Sequence, residues 1–148
     1  MSTILIVDDS DFDRKLLSSA LGRKGDYLFE EAKSGLECLE FLAVNKVSLV
    51  LLDIMMPGSP GDQVLKKIRE KFNAVELPVI MVTGKSDASD VIECLQNGAN
   101  DYITKPVNFK IAVSRIETHL RLADISEKMA HLKELAALDG MIATYNHE

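Results

Sequence analysis

The stretch "LVLLDIMMPGSPG", residues 49–61, runs four apolar residues straight into an aspartate and then into Ile-Met-Met-Pro-Gly. An unbroken apolar run of this length, closed by proline and glycine, has the pattern of a strand buried on both faces. An aspartate at the end of such a strand needs an explanation, because burying an unpaired charge is strongly unfavourable. The same pattern recurs on either side of it. Short apolar runs stand at 3–7 ("TILIV"), 27–29 ("YLF"), 48–52 ("SLVLL"), 78–82 ("PVIMV") and, more weakly, 101–104 ("DYIT"). Helix-period segments lie between them. Phe12, Leu16, Leu17, Ala20 and Leu21 are expected on one face of the first helix. Leu36, Leu39 and Leu42 mark the second, after Ser34 as N-cap. Val64, Leu65, Ile68 and Phe72 mark the third, and Val91 and Leu95 the fourth, which Gly98 can end in a left-handed cap. A fifth begins near Asn108, just after Pro106. Five βα units with near-continuous apolar strands predict an α/β fold, a doubly wound parallel sheet with helices on both faces.

The 148 residues suit one domain with a short appendage, and 47% hydrophobic with 27% charged residues is an ordinary globular balance. A net charge of −6 argues against a grip on nucleic-acid phosphates. The start "MSTILIVDDS" is too short an apolar segment for a signal peptide or membrane span. Cys38 and Cys94 lie far apart without metal-ligand spacing, and read as reduced, partly buried thiols of a cytoplasmic protein.

In open parallel sheets, polar sites form beyond the carboxyl ends of the strands. Strand one ends in Asp8-Asp9, strand three in Asp53, strand four in Thr83-Gly84 and strand five in Lys105-Pro106. Glu30 and Glu31, after strand two, read as a solvated edge. If strands one and three are neighbours, three carboxylates converge and repel one another. A divalent cation resolves that conflict, and an all-oxygen ligand set points to a hard ion such as Mg²⁺. Lys105 adds a cation and Thr83 a hydroxyl, so the pocket suits a phosphoryl group, with an aspartate as nucleophile.

The pieces "ILIVDDS", "LVLLDIMMPGSPG", "PVIMVTG" and "GANDYITKP", in this order and spacing, resemble the receiver domain of bacterial two-component response regulators over about residues 3–122. The resemblance implies a flavodoxin-like (βα)₅ fold with strand order 2-1-3-4-5. It implies Asp53 as phosphoacceptor, with Asp9, Asp53 and the Met55 backbone carbonyl on Mg²⁺ and Asp8 helping through water. Thr83 and Lys105 would contact the phosphoryl oxygens, and Tyr102 would be the aromatic partner of Thr83 in a conformational switch. Met55 and Lys85 would flank the water path and tune the phosphoryl lifetime. The implied partners are a histidine kinase or phosphotransfer protein and an output domain. One stretch departs from the pattern: Ser59 stands where an apolar residue is usual, with Pro60 before the glycine.

The chain thereby divides into a receiver domain, 1–122, and a helical, coiled-coil-like extension, 123–148. Leu122, Ile125, Met129, Leu132 and Ala136 recur at spacings of 3, 4, 3 and 4, a heptad-like seam. Leu135, Leu138 and Ile142 continue it on a shifted register that resembles a stammer. The extended C-terminal helix is therefore expected to support a homodimer through 109–145. His119 and His131 read as exposed helix residues. The closing "MIATYNHE" resembles the start of a histidine kinase H-box, with His147 as its histidine, and aligns loosely with the opening of a diguanylate cyclase domain. Either resemblance implies a longer protein whose catalytic output lies elsewhere. A phosphatase-like hydrolase using Asp53 is the alternative from another class, but Met55 stands where such enzymes carry a second acid.

Overall fold

The computed structural model describes residues 1–23, 26–84 and 88–146. In chain order the elements are β1 (Ser2–Val7), α1 (Asp11–Gly22), β2 (Tyr27–Ala32), α2 (Gly35–Val44) and β3 (Leu49–Asp53). They continue with α3 (Gly61–Lys71), β4 (Val79–Thr83), α4 (Ala88–Gln96), β5 (Asp101–Thr104) and α5 (Phe109–Asn146). The strands are parallel in the order β2-β1-β3-β4-β5, as expected. β2 extends through Glu30 and Glu31 rather than ending before them, and Asp53 is the last residue of β3.

Alternation along each strand divides the apolar side chains between two layers. Ile4, Ile6, Leu49, Leu51, Ile80, Val82 and Ile103 pack with Leu17 and Leu21 of α1 and Ala112 and Ile116 of α5. Leu5, Val7, Val50, Leu52, Val79 and Met81 pack instead under α2, α3 and α4, against Cys38, Leu42, Val64, Leu65, Ile68 and Cys94. Both cysteines are fully buried rather than partly so, and burial pushes their thiols up to about 12 for Cys38 and about 11 for Cys94.

The helix starts follow from their caps. Ser10 and Ser34 accept the backbone N–H of Asp13 and Glu37 and open α1 and α2. Gly98, at φ +105°, ends α4. The buried face of α1 is Arg14, Leu17 and Leu21, spaced at three and four residues. Phe12 and Leu16, expected on that face, lie on the opposite side and are exposed, because a buried arginine takes the position an apolar residue would have marked. Leu36 and Leu95 are likewise exposed; Gly35 and Cys38 turn α2 inward and Cys94 turns α4.

The loop that departs from the family pattern has a local account. Pro60 caps α3 with its carbonyl, which accepts the Gln63 and Val64 N–H groups. A Cβ on Gly35 would lie 3.2 Å from the Ser59 Cβ and 2.6 Å from Val64 Cγ2, so α2 presses on this loop and both positions are small. Gly61 is tighter still. Its N–H donates to the Ile54 carbonyl at 2.9 Å, and a Cβ there would sit 2.2 Å from the Asp53 carbonyl oxygen. Gly61→Ala is therefore expected to cost about 3 kcal/mol or more in chemical denaturation, since the clash is with backbone that carries Asp53. A loss below about 1 kcal/mol would show that the loop relaxes at little cost.

Candidate functional site

Register alone brings the strand ends together. Val7 pairs with Leu52, so Asp8 and Asp53, the next residues along, emerge side by side. Asp53 pairs with Val82 and Thr83 with Thr104, which sets Thr83 and Lys105 on the same rim. Asp8, Asp9 and Asp53 each offer a carboxylate oxygen, all within 4.8 Å of one another. Asp8 and Asp53 are buried and Asp9 is exposed. The Ser10 N–H donates to Asp8 Oδ1 at 2.9 Å, and the Met55 N–H to Asp53 Oδ1 at 3.1 Å. Thr83 is buried at the end of β4.

Lys105 Nζ lies 3.0 Å from Asp8 Oδ2, 3.2 Å from Asp13 Oδ2 and 3.6 Å from Asp53 Oδ2. Asp13 was not anticipated, because nothing in the sequence places the third residue of a helix beside a lysine 92 positions away. Arg14 was missed as well. It is buried, donates through Nη1 to the Asp8 carbonyl at 2.6 Å, and pairs with Asp11 and with Glu31, the latter at 3.1 Å. The guanidinium thus ties the backbone of Asp8 to α1 and β2. A polar residue at a core position of an amphipathic helix was the available signal.

The family description "Response regulator receiver domain" matches residues 4–117. The chain belongs to the response regulator receiver family. Over 119 residues it is 41% identical to a Vibrio cholerae protein named "Probable cyclic di-GMP phosphodiesterase", covering 80% of this chain and 26% of that one. It is 36% identical to the transcriptional regulatory protein AfsQ1 of Streptomyces coelicolor, over 82% of this chain and 52% of that one. The chain thus spans from about a quarter to about half the length of these curated relatives. Among solved structures, a CheY-like receiver domain protein from Methanospirillum hungatei matches with a TM-score of 0.77 at 29% identity, over 85% of this chain and 98% of that one. A structure of the yeast Spc42 trimeric coiled coil fused to a second protein matches with a TM-score of 0.78 at 27% identity, over 97% of this chain and 95% of that one.

In this receiver the switch candidates lie on the layer opposite to the acids. Thr83 continues the row of Val79 and Met81, and Tyr102 packs half-buried on the same α2–α4 side. Arg115 of α5 donates to the Tyr102 carbonyl, and its guanidinium carbon sits 5.2 Å from the Tyr102 ring centroid. His119, expected to be exposed, is half-buried with Nε2 3.0 Å from Asp101 Oδ2, because this turn of α5 packs over the start of β5. His131 is exposed, as expected. The Met55 side chain is largely exposed at the rim. Lys85 and His147 lie outside the described residues. Among the described residues, no helix is long and apolar enough to cross a membrane.

Burial, reinforced by the Asp8 charge, pushes the Asp53 carboxyl up to about 6, against the opposing pull of the Met55 N–H and Lys105. Burial lowers Lys105, but its hydrogen bond to Asp8 and the charges of Asp53 and Asp8 outweigh it and raise the ammonium above its ordinary value. A folded-state value above the unfolded one means that the protonated Asp53 stabilises the fold fully below about pH 4. That contribution is lost as pH rises through about 6. In metal-free buffer at pH 7, Asp53→Asn is thus expected to be more stable than the parent by about 2 kcal/mol in urea unfolding. The two should converge below about pH 4. A parent chain that gains on the variant as pH rises from about 4 to 7 would contradict the assignment of strain to Asp53.

Proposed function

We propose that the chain accepts a phosphoryl group on Asp53 from the phosphohistidine of a partner kinase or phosphotransfer protein, with Mg²⁺ bound. The observation that carries this reading is the buried Asp53 carboxylate flanked at once by the other acids and by the Lys105 ammonium at 3.6 Å. The donors fit the ion: three carboxylates within 4.8 Å of one another and, by the resemblance, the Met55 carbonyl form an all-oxygen set for a hard cation. When bound, Mg²⁺ supplies positive charge against the crowded carboxylates and the incoming phosphoryl oxygens. An Asp53 carboxylate oxygen attacks phosphorus, the N–P bond of the phosphohistidine breaks, and the imidazole leaves with the bonding pair. Lys105 and Thr83 then hold phosphoryl oxygens.

The Thr83–Tyr102 layer is the proposed route outward. Movement of Thr83 toward the phosphoryl group makes room for the Tyr102 ring, and Arg115, bonded to Tyr102, links that motion to α5. Fully buried residues of α5 end at Ile116, which supports dividing the chain into a receiver, 1–122, and an extension, 123–148. The extension would carry the change to an output domain. The relatives name two kinds of output, a cyclic di-GMP enzyme and transcriptional regulators. Two buried free thiols suit a cytoplasmic setting. The phosphatase-like reading has less support, since the side chain two residues beyond Asp53 is the exposed, uncharged Met55.

Incubation with Mg²⁺ and acetyl phosphate tests the main reading. The expected product is an acid-stable, base-labile adduct that Asp53→Asn does not form; absence of any adduct on the parent chain would overturn it. The extension is proposed to pair in parallel with a second copy, because Leu122, Ile125, Met129 and Leu132 stay about half exposed along one seam. In that register Lys128 of one copy faces Lys133 of the other at g and e positions, so the contact is weakened by like charge. Sedimentation should show association that tightens with salt and disappears when the chain is cut after Leu122. Association that survives the cut would place the contact on the receiver instead.

A further inference from the structure

The acids around Lys105 are not equivalent. An ammonium has three N–H donors. Two of them bond Asp8 at 3.0 Å and Asp13 at 3.2 Å, whereas Asp53, at 3.6 Å, is an ion pair without a hydrogen bond. The lysine is therefore drawn toward α1, away from the carboxylate that would carry the phosphoryl group. Asp8 belongs to the cluster of acids whose oxygens converge on a common point, and a bound cation would share its charge. Asp13 lies outside that cluster. Its backbone N–H is fixed by the Ser10 cap at 3.2 Å, which sets the first turn of α1 against Lys105. Among the described residues, the one cation paired with its carboxylate is Lys105.

We propose that Asp13 is a positioning residue that holds the Lys105 ammonium in a parked position and competes for it with any oxyanion arriving on Asp53. This rests on Asp53 as the acceptor. The acceptor must then draw Lys105 out of its bond to Asp13, so Asp13 lowers the affinity of the pocket for a phosphoryl group and for its mimics. An Asp13–Lys105 pair with side chains 38% and 26% exposed is partly screened, which makes Asp13 a modest adjustment rather than a block.

Beryllofluoride, a phosphoryl mimic, measures this without turnover. In the presence of Mg²⁺, Asp13→Asn is expected to bind it about fivefold more tightly than the parent, the worth of one partly exposed ion pair. Asp13→Glu, which restores the charge, should return toward the parent value. A gain in affinity is what general damage to the site does not produce. The gain should vanish when Asp13→Asn is made in a Lys105→Ala background, and the Lys105 Nζ proton signals should lose protection from exchange in Asp13→Asn alone. Unchanged or weaker binding by Asp13→Asn overturns the inference. A gain that persists without Lys105 overturns it too, because Asp13 would then act by its own charge. A parent chain that binds neither beryllofluoride nor a phosphoryl group fails the acceptor reading itself, and the inference falls with it.

Discussion

Two buried carboxylates side by side, Asp8 and Asp53, are the constraint around which this rim of the molecule is arranged. They sit together because β1 and β3 are in-register neighbours, with Val7 opposite Leu52 just below them. Left alone, like charges in a low-dielectric setting would drive protonation or distort the strand ends. Lys105 answers part of that charge and backbone N–H groups of Ser10 and Met55 answer part; the Asp53 carboxyl is still raised, first by burial and then by the charge of Asp8. A site with residual repulsion of this kind is ready to take up further positive charge, which is the physical basis for proposing Mg²⁺ there.

The same sheet separates two sets of side chains by simple alternation. Asp8, Asp53 and Lys105 continue the rows that point toward α1 and α5, while Thr83 and Tyr102 continue the rows that point toward α2, α3 and α4. The charged side chains thereby gather on one layer, and Thr83 and Tyr102 lie on the other. Arg115 then reaches Tyr102 from α5, the helix that extends beyond the receiver. Gly61 closes the arrangement from beneath, holding α3 against the backbone of Asp53 at a distance no side chain permits.

Much of this was legible in the sequence. Continuous apolar runs predicted parallel strands, and residues placed just after them predicted where the acids and Lys105 would gather. Ser34, Gly98 and the proline before α5 marked helix ends correctly because capping is a local matter of a few backbone groups. The errors share a cause. Phe12 and Leu16 suggested the wrong face of α1 because the residue at the centre of the true face is Arg14, whose burial depends on partners in β2 and on the Asp8 carbonyl. His119 was read as solvated because nothing near it in the chain shows that Asp101 lies one layer below.

The sequence by itself determined the order of elements, the two-sided burial of the strands and the set of chemically capable residues at their ends. Those depend on hydrophobic period and local turn chemistry, which act over a few residues. Only the tertiary structure decided which acids share Lys105, that Asp13 stands among them and that Asp9 stays at the open edge. Lys105 is 97 residues from Asp8 and 92 from Asp13. Their meeting is a consequence of strand register and of the angle at which α1 leaves β1, and neither quantity is written in any short stretch of the chain.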